Sequence, residues 1–230
     1  MLNICEEKIL DCWFINAKPW IKAIKNNEIE NRVLITNSAI MQCILNESPK
    51  NVLDIGCGEG WLVRSLSNQG IHSVGIDAIP ELITAAQTQA LDKSKENYRV
   101  LSYKDISQYE INETFDVVVC NFSLLGNKSV NQLLKKIPYF LNQNGLFIVQ
   151  TIHPLSTTTK EPYENGWRKG SWLGFSHHFT DPAPWYFRTL ENWNNLFSVS
   201  NLTVTETIES KNPNTGELAS VIFKCCHMQT

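Results

Sequence analysis

Apolar positions along this chain follow two rhythms in turn. Short apolar runs lie in Val52–Ile55, His72–Asp77, Tyr98–Ser107, Phe115–Asn121 and Leu146–Ile152, and each reads as a strand. Between them apolar residues fall three and four apart. Leu62, Val63 and Leu66 precede Gly70; Ile79, Leu82, Ile83, Ala86 and Ala90 follow Asp77; Leu133, Leu134, Ile137 and Phe140 precede Asn144-Gly145. That spacing lays one apolar stripe on a helix. Alternating strand and helix patterns predict an α/β fold built on a parallel sheet with helices on both faces. The nearly unbroken apolar run of Phe115–Asn121 suits a central strand covered on both sides.

The pattern changes toward both ends. Residues 1–46 read as a helical cap, with Phe14, Ala17, Trp20, Ile21 and Ile24 at helical spacing and Pro19 limiting the first segment. A second helical segment runs from about Glu28 to Leu45. Residues 47–152 form the alternating core. Residues 153–193 are long for a connection, which marks them as functional. They hold Trp167, Trp172, Trp185 and Trp193 of the chain's 7 tryptophans, together with prolines, glycines, His177, His178 and Arg188. Rings with a few polar groups are how a small-molecule pocket is lined, so this stretch reads as a lid. In residues 194–230, after a helix opened by Thr189 as N-cap, Phe197–Ile208 and Ala219–Cys226 alternate as two strands around a Pro213/Gly216 turn.

Residues 51–60, Asn-Val-Leu-Asp-Ile-Gly-Cys-Gly-Glu-Gly, carry most of the chemistry. A strand, a loop with Gly56, Gly58 and Gly60, and a helix start bring backbone N–H groups around a bound small molecule. The nicotinamide fingerprint needs its third glycine at position 61, which is Trp, and the phosphate-cradling Gly-Lys-Ser/Thr is absent. Asp54 at the strand end would repel a pyrophosphate and suits a cationic ligand. Asp77 ends the next strand about twenty residues on, where a carboxylate meets ribose hydroxyls. An acid before a D-x-G-x-G-x-G loop resembles motif I of the class I S-adenosylmethionine-dependent methyltransferases, of the small-molecule, ubiquinone-biosynthesis type. The resemblance is specific in residues 51–77, moderate to 152 and loose elsewhere.

That resemblance implies a Rossmann-like, seven-stranded, mostly parallel sheet with its last strand antiparallel. It implies one methyltransferase domain that uses S-adenosyl-L-methionine, releases S-adenosyl-L-homocysteine and methylates oxygen or nitrogen of a small-molecule acceptor. Asp54, Gly56, Cys57, Gly58, Gly60 and Asn121 would hold the cofactor, with Asp77 and Ala78 on the ribose and Asp105 and the Ile106 amide on the adenine. Arg32, on the cap, would pair with the methionine carboxylate. Trp20, Phe122, His177, His178, Trp185 and Arg188 would line the acceptor pocket. His153, directly after the fifth strand, is the candidate general base, since His titrates near neutral pH.

Composition narrows the class. A net charge of −3 and a pI near 6.0 argue against an obligate nucleic-acid partner. No stretch has the length of a membrane span, and 7 scattered cysteines without C-x-x-C suit a reducing, cytoplasmic setting with no metal site. A monomer or homodimer is expected. The alternatives are a nucleic-acid-directed methyltransferase, which would carry Asn/Asp-Pro-Pro-aromatic where this chain has Asn121-Phe-Ser-Leu, a non-catalytic cofactor-binding regulatory module, and a nicotinamide dehydrogenase, disfavoured by Trp61.

Overall fold

A computed structural model describes residues 6–157 and 161–227. The first five residues of the expected cap, residues 158–160 of the expected lid and the last three residues lie outside that set. Seven strands form one sheet: β1 (Asn51–Ile55), β2 (His72–Asp77), β3 (Glu96–Val100), β4 (Phe115–Asn121), β5 (Leu141–Ile152), β8 (Leu202–Lys211) and β9 (Leu218–His227). Their spatial order is β3-β2-β1-β4-β5-β9-β8. β1 to β5 pair in parallel, while β9 lies antiparallel between β5 and β8. The strand order reverses between β1 and β4. At such a point the crossovers leave in opposite directions and open a crevice beyond the strand ends.

Among the described residues seven α-helices accompany the sheet: α1 (Glu7–Lys25), α2 (Asn37–Leu45), α3 (Trp61–Ser67), α4 (Pro80–Gln89), α5 (Gln108–Ile111), α6 (Lys128–Leu134) and α7 (Leu190–Ser198). One core packs Leu53, Val74, Val118 and Phe147 against Leu133, Phe140 and Phe197. The other face packs Val52, Val117 and Ile148 against Ile40, Ile44, Leu62 and Leu66. Central strands are therefore apolar on both sides, as their sequence runs require.

Several boundaries differ from the sequence reading; β5, for one, begins at Leu141 and runs through Asn144-Gly145. β3 ends at Val100, not Ser107, because the amides of Asp105 and Ile106 turn back onto the Ser102 carbonyl. Phe197 belongs to α7, and the next strand begins only at Leu202. Its ring is fully buried against Phe147, Trp193 and Phe223, so its apolar character served a helix stripe and not strand alternation. α1 runs through Pro19 without ending, and its buried stripe is rotated toward Cys12, Asn16 and Ala17, which leaves Phe14 exposed. α1 is seated by Ala17, Trp13, Trp20 and Ile21 on Ile79 and Leu82 of α4, and that packing outweighs the one hydrogen bond lost at proline.

The stretch between β5 and α7 carries a short turn (Pro154–Thr157) and a two-stranded ribbon of β6 (Gly166–Arg168) and β7 (Trp185–Phe187). Two of its ties reach the loop after β4 and the cap. The Tyr186 N–H donates to the Leu125 carbonyl, 2.8 Å, in the loop after β4. The buried Asn16 amide of α1 donates to the Thr180 carbonyl (2.8 Å) and accepts the Thr180 N–H (2.9 Å). Trp13, Trp172, Phe175 and Phe179 close edge-on around this joint.

Phe197→Ala should destabilise the protein by about 3–5 kcal/mol, the usual cost of emptying a well-packed aromatic site. Urea unfolding measures it. A loss under about 1 kcal/mol would mean that the α7 packing is wrong.

Candidate active site

The glycine loop bends away from β1 and is pinned to β2. The amides of Gly56 and Cys57 both donate to the Ile76 carbonyl, 2.8 and 3.0 Å. Asp77 accepts the Gly58 N–H on one oxygen (2.9 Å) and the Ile79 N–H on the other (2.9 Å), so one side chain holds the loop and opens α4. Gly56 and Gly60 have φ of +79° and +84°. A Cβ at Gly56 would stand 2.4 Å from Ser123 Cβ, and one at Gly60 would stand 2.6 Å from the Tyr98 ring. Neighbouring side chains thus demand glycine there as firmly as the backbone does.

Buried charge collects around this loop. Asp54 is almost fully covered and its Oδ1 has no partner. Burial, with Asp77 and Glu59 nearby, pushes its carboxyl up to about 8, against the opposing pull of Arg32. Glu59, also buried, is paired with the Arg64 guanidinium. Arg32 opens a single π-helical stretch, Arg32–Thr36, a local widening that is frequent at functional positions. Its guanidinium stands 5.4 Å from the Trp20 ring centre and 5.1 Å from that of Trp61. Nε donates to Asn37 Oδ1 at 3.3 Å, Nη2 is buried without a partner, and burial pulls the group down to about 10. Asn121, at the end of β4, likewise buries an unpartnered Oδ1. Unpaired polar atoms of both signs around one loop leave hydrogen-bonding capacity that a ligand could use.

Trp20 reaches the loop too, with Nε1 3.5 Å from where a Gly58 Cβ would stand. Phe122 has φ of +54°, a left-handed conformation that a bulky residue adopts at a cost of about 1–3 kcal/mol. Ala78 joins Asp77 to α4. Cys57 is buried in the loop against Gly75, and burial raises its thiol far above the nucleophilic range.

The remaining expected residues lie in the turn after β3 and on or beside the β6–β7 ribbon. The Ile106 N–H is spent on the Ser102 carbonyl, 3.0 Å, and the Asp105 carboxylate accepts the Ser102 hydroxyl, 2.6 Å. Asp105 faces a separate hollow of about 330 Å³ beside Lys104, Lys136 and Tyr139. The turn that ends β3 swings both residues off the strand line. His177 and His178 are exposed, with rings 4.1 Å apart. Trp185 is half-buried on β7, 5.7 Å from the Arg168 guanidinium. Arg188 is buried between Tyr186 and Trp193, 4.9 Å from each ring. Nη2 points at Asn127 O and Asn131 Oδ1, and Nη1 has no partner.

His153 is recast altogether. Its ring is fully buried, Nδ1 accepts the Leu155 N–H (3.2 Å), and Nε2 faces Glu209 Oε1 of β8 (3.1 Å). Both nitrogens are engaged, which gives the ring a structural place between β5 and β8. The sequence pattern did not mark Glu59, Tyr98 or Tyr103 as site residues. Glu59 stood inside the glycine loop and could have been found there. The others meet the loop only through tertiary packing. Among the described residues no group of three or more His, Cys, Asp or Glu side chains gathers as a metal site, and no helix is long and apolar enough to cross a membrane.

Residues 31–207 match a family model described as a methyltransferase domain. The chain is 31% identical over 121 residues to a ubiquinone biosynthesis O-methyltransferase of Rickettsia akari (strain Hartford), covering 52% of this chain and 45% of that one. It is 32% identical over 107 residues to the protein of the same description from Xylella fastidiosa (strain M23), 46% of this chain and 43% of that one. The chain thus spans just under half the length of these curated relatives. In three dimensions it is similar to a magnesium protoporphyrin IX methyltransferase from Synechocystis PCC 6803 solved with bound SAH (TM-score 0.67, 13% identity, 97% of this chain and 100% of that one). A crystal structure described as a putative S-adenosylmethionine-dependent methyltransferase from Listeria monocytogenes matches with TM-score 0.63, 19% identity, 78% of this chain and 92% of that one.

Two outcomes follow from the geometry. With its folded-state carboxyl raised to about 8, Asp54 keeps a proton that the unfolded chain releases in the ordinary carboxylate range. The unfolded state binds fewer protons between those limits, so this group makes stability fall as pH rises toward 8, by up to about 1.4 kcal/mol per pH unit, and adds no slope above. Asp54→Asn should flatten that slope in urea unfolding from pH 5 to 8; an unchanged slope would refute the buried protonated carboxyl. His153→Ala should cost about 1–3 kcal/mol of stability, the price of orphaning a buried hydrogen-bonding group, seen as a lower melting temperature. An unshifted melting temperature would reopen a functional role.

Proposed function

The chain belongs to the methyltransferase-domain family, and from that premise we propose that it transfers the methyl group of S-adenosyl-L-methionine to a small-molecule acceptor, with an oxygen atom as the foremost target. The observation that carries this reading is the set of buried, unpartnered polar atoms around the glycine loop: Asp54 Oδ1, Asn121 Oδ1 and Arg32 Nη2. They suit a ligand with cationic and carboxylate groups at one end. The names of the curated relatives favour oxygen as the acceptor atom.

Arg32 would hold the methionine carboxylate, stiffened by Trp20 and Trp61. Asp54 and Asn121 would receive the ammonium and sulfonium side. Asp77 would accept ribose hydroxyls on the lone pairs left after binding two amides. Asp105 and Ile106 would reach an adenine only once the Ser102 turn opens. The cofactor supplies an electrophilic methyl group on sulfur. What the chain contributes is placement and dryness: α1, bonded to Thr180 through Asn16, would cover the crevice, while Trp20, Phe122 and Trp185 would offer the acceptor an apolar wall. Holding two reactants in line is worth on the order of 7–11 kcal/mol of a barrier. With His153 engaged by Glu209 and Leu155, His177 and His178 would be the histidines left to serve the acceptor.

Calorimetric titration with S-adenosylhomocysteine, with NADH as control, tests the reading. Binding of the first alone is expected, roughly tenfold weaker in Asp77→Ala or Arg32→Met, since each removes a charge-assisted contact. A cationic group beside Asp54 favours the carboxylate, so binding near pH 7 should release a proton and tighten toward pH 8. No binding by ligand-free protein would overturn the proposal.

A further inference from the structure

Resting on the function just proposed, we infer that Tyr103 is a positioning residue whose hydroxyl holds the elbow after β4 in the strained shape that presents Asn121 and Phe122 to the crevice. Phe122, at φ +54°, stays in that conformation only if its surroundings over-determine it. Four bonds do so. The Phe122 N–H donates to the Gln150 carbonyl of β5, 2.8 Å. The Ser123 hydroxyl donates to the Ile55 carbonyl at the end of β1, 2.7 Å. The Ser123 carbonyl accepts the Leu125 N–H (3.0 Å) and the Tyr103 hydroxyl (2.9 Å).

The tyrosine bond comes from the far side of the sheet. Tyr103 follows β3, and the elbow follows β4; β2 and β1 lie between them. The side chain therefore spans the edge where the strand order reverses. Its hydroxyl stands 3.1 Å from where a Gly56 Cβ would be, so it also braces the first turn of the glycine loop. Its own loop is fixed in turn. Lys136 Nζ donates to the carbonyls of Tyr103 (3.2 Å), Lys104 (2.9 Å) and Ile106 (2.9 Å). Lys136 lies two residues past the end of α6, and α6 follows the elbow. The circuit closes: elbow, α6, Lys136, Tyr103 and back to the Ser123 carbonyl. A ligand that leans on Asn121 and Phe122 leans on this circuit.

Tyr103→Phe keeps the ring and removes the bond. S-adenosylhomocysteine affinity should fall about fivefold, the scale of one hydrogen bond, with the melting temperature moved by less than about 3 °C. Without any ligand, hydrogen exchange at the Phe122 and Leu125 amides should accelerate. In a Phe122→Gly background, where φ +54° carries no strain, the effect of Tyr103→Phe on affinity should shrink below about twofold. Equal affinity and unchanged exchange in Tyr103→Phe would overturn the inference, and so would an equal loss in both backgrounds, the mark of plain packing. Failure of the wild-type protein to bind would sink the proposed function, while the exchange rates would still judge Tyr103.

Discussion

The hydrogen bonds from Gly58 and Ile79 to the Asp77 carboxylate set the geometry of the crevice. They come from one residue at the end of β2, yet they fix the loop after β1 and the start of the helix after β2. With the Gly56 and Cys57 amides on the Ile76 carbonyl, they make the first two strand ends a single rigid corner. α4, launched from that corner, is the surface on which α1 rests through Ile79 and Leu82. The cap, and through Asn16 the stretch around Thr180, therefore take their positions from a loop that spans only a few residues.

The same corner gathers acids. Asp54, Glu59 and Asp77 lie together under low-dielectric packing, and Arg64 neutralises only Glu59 directly. Raising the Asp54 carboxyl to about 8 means a penalty on the order of 5 kcal/mol against its charged form. A neutral hydrogen bond, worth about 1 kcal/mol, does little against that, whereas a full positive charge at contact distance, worth about 4 kcal/mol, offsets much of it. The chain keeps a poor environment for a carboxylate in the place where a cationic ligand would improve it. Arg32 is the mirror case, a guanidinium lowered to about 10 by burial between two tryptophans.

How much of this was legible in advance depended on distance along the chain. The strand–glycine–helix unit of residues 51–67, the acid at Asp77 and the proline start of α4 are local features, and local periodicity and turn chemistry expose them. Thr189 as a helix cap was equally plain, and its hydroxyl accepts the Asn192 N–H. Phe197 was not, because an apolar residue at a helix end satisfies strand alternation and helix spacing alike, and only its contacts with Phe147 and Phe223 decide. Pro19 misled for the opposite reason. A local rule predicted a break, and the seat on α4 overrode it.

By itself, the sequence determined the α/β class, the position of the glycine loop and the identity of the acids around it, since each depends on residues within a few turns of one another. Only the tertiary structure decided which side chains have spare hydrogen-bonding capacity. His153, so well placed in sequence, meets Glu209 from a strand 56 positions away, and Ile106 loses its amide to the turn that closes β3. Tyr103, an unremarkable residue in a polar stretch, becomes a brace across four strand ends. A side chain's type is written in the chain, but whether its polar atoms are already spent depends on partners that folding brings from far away.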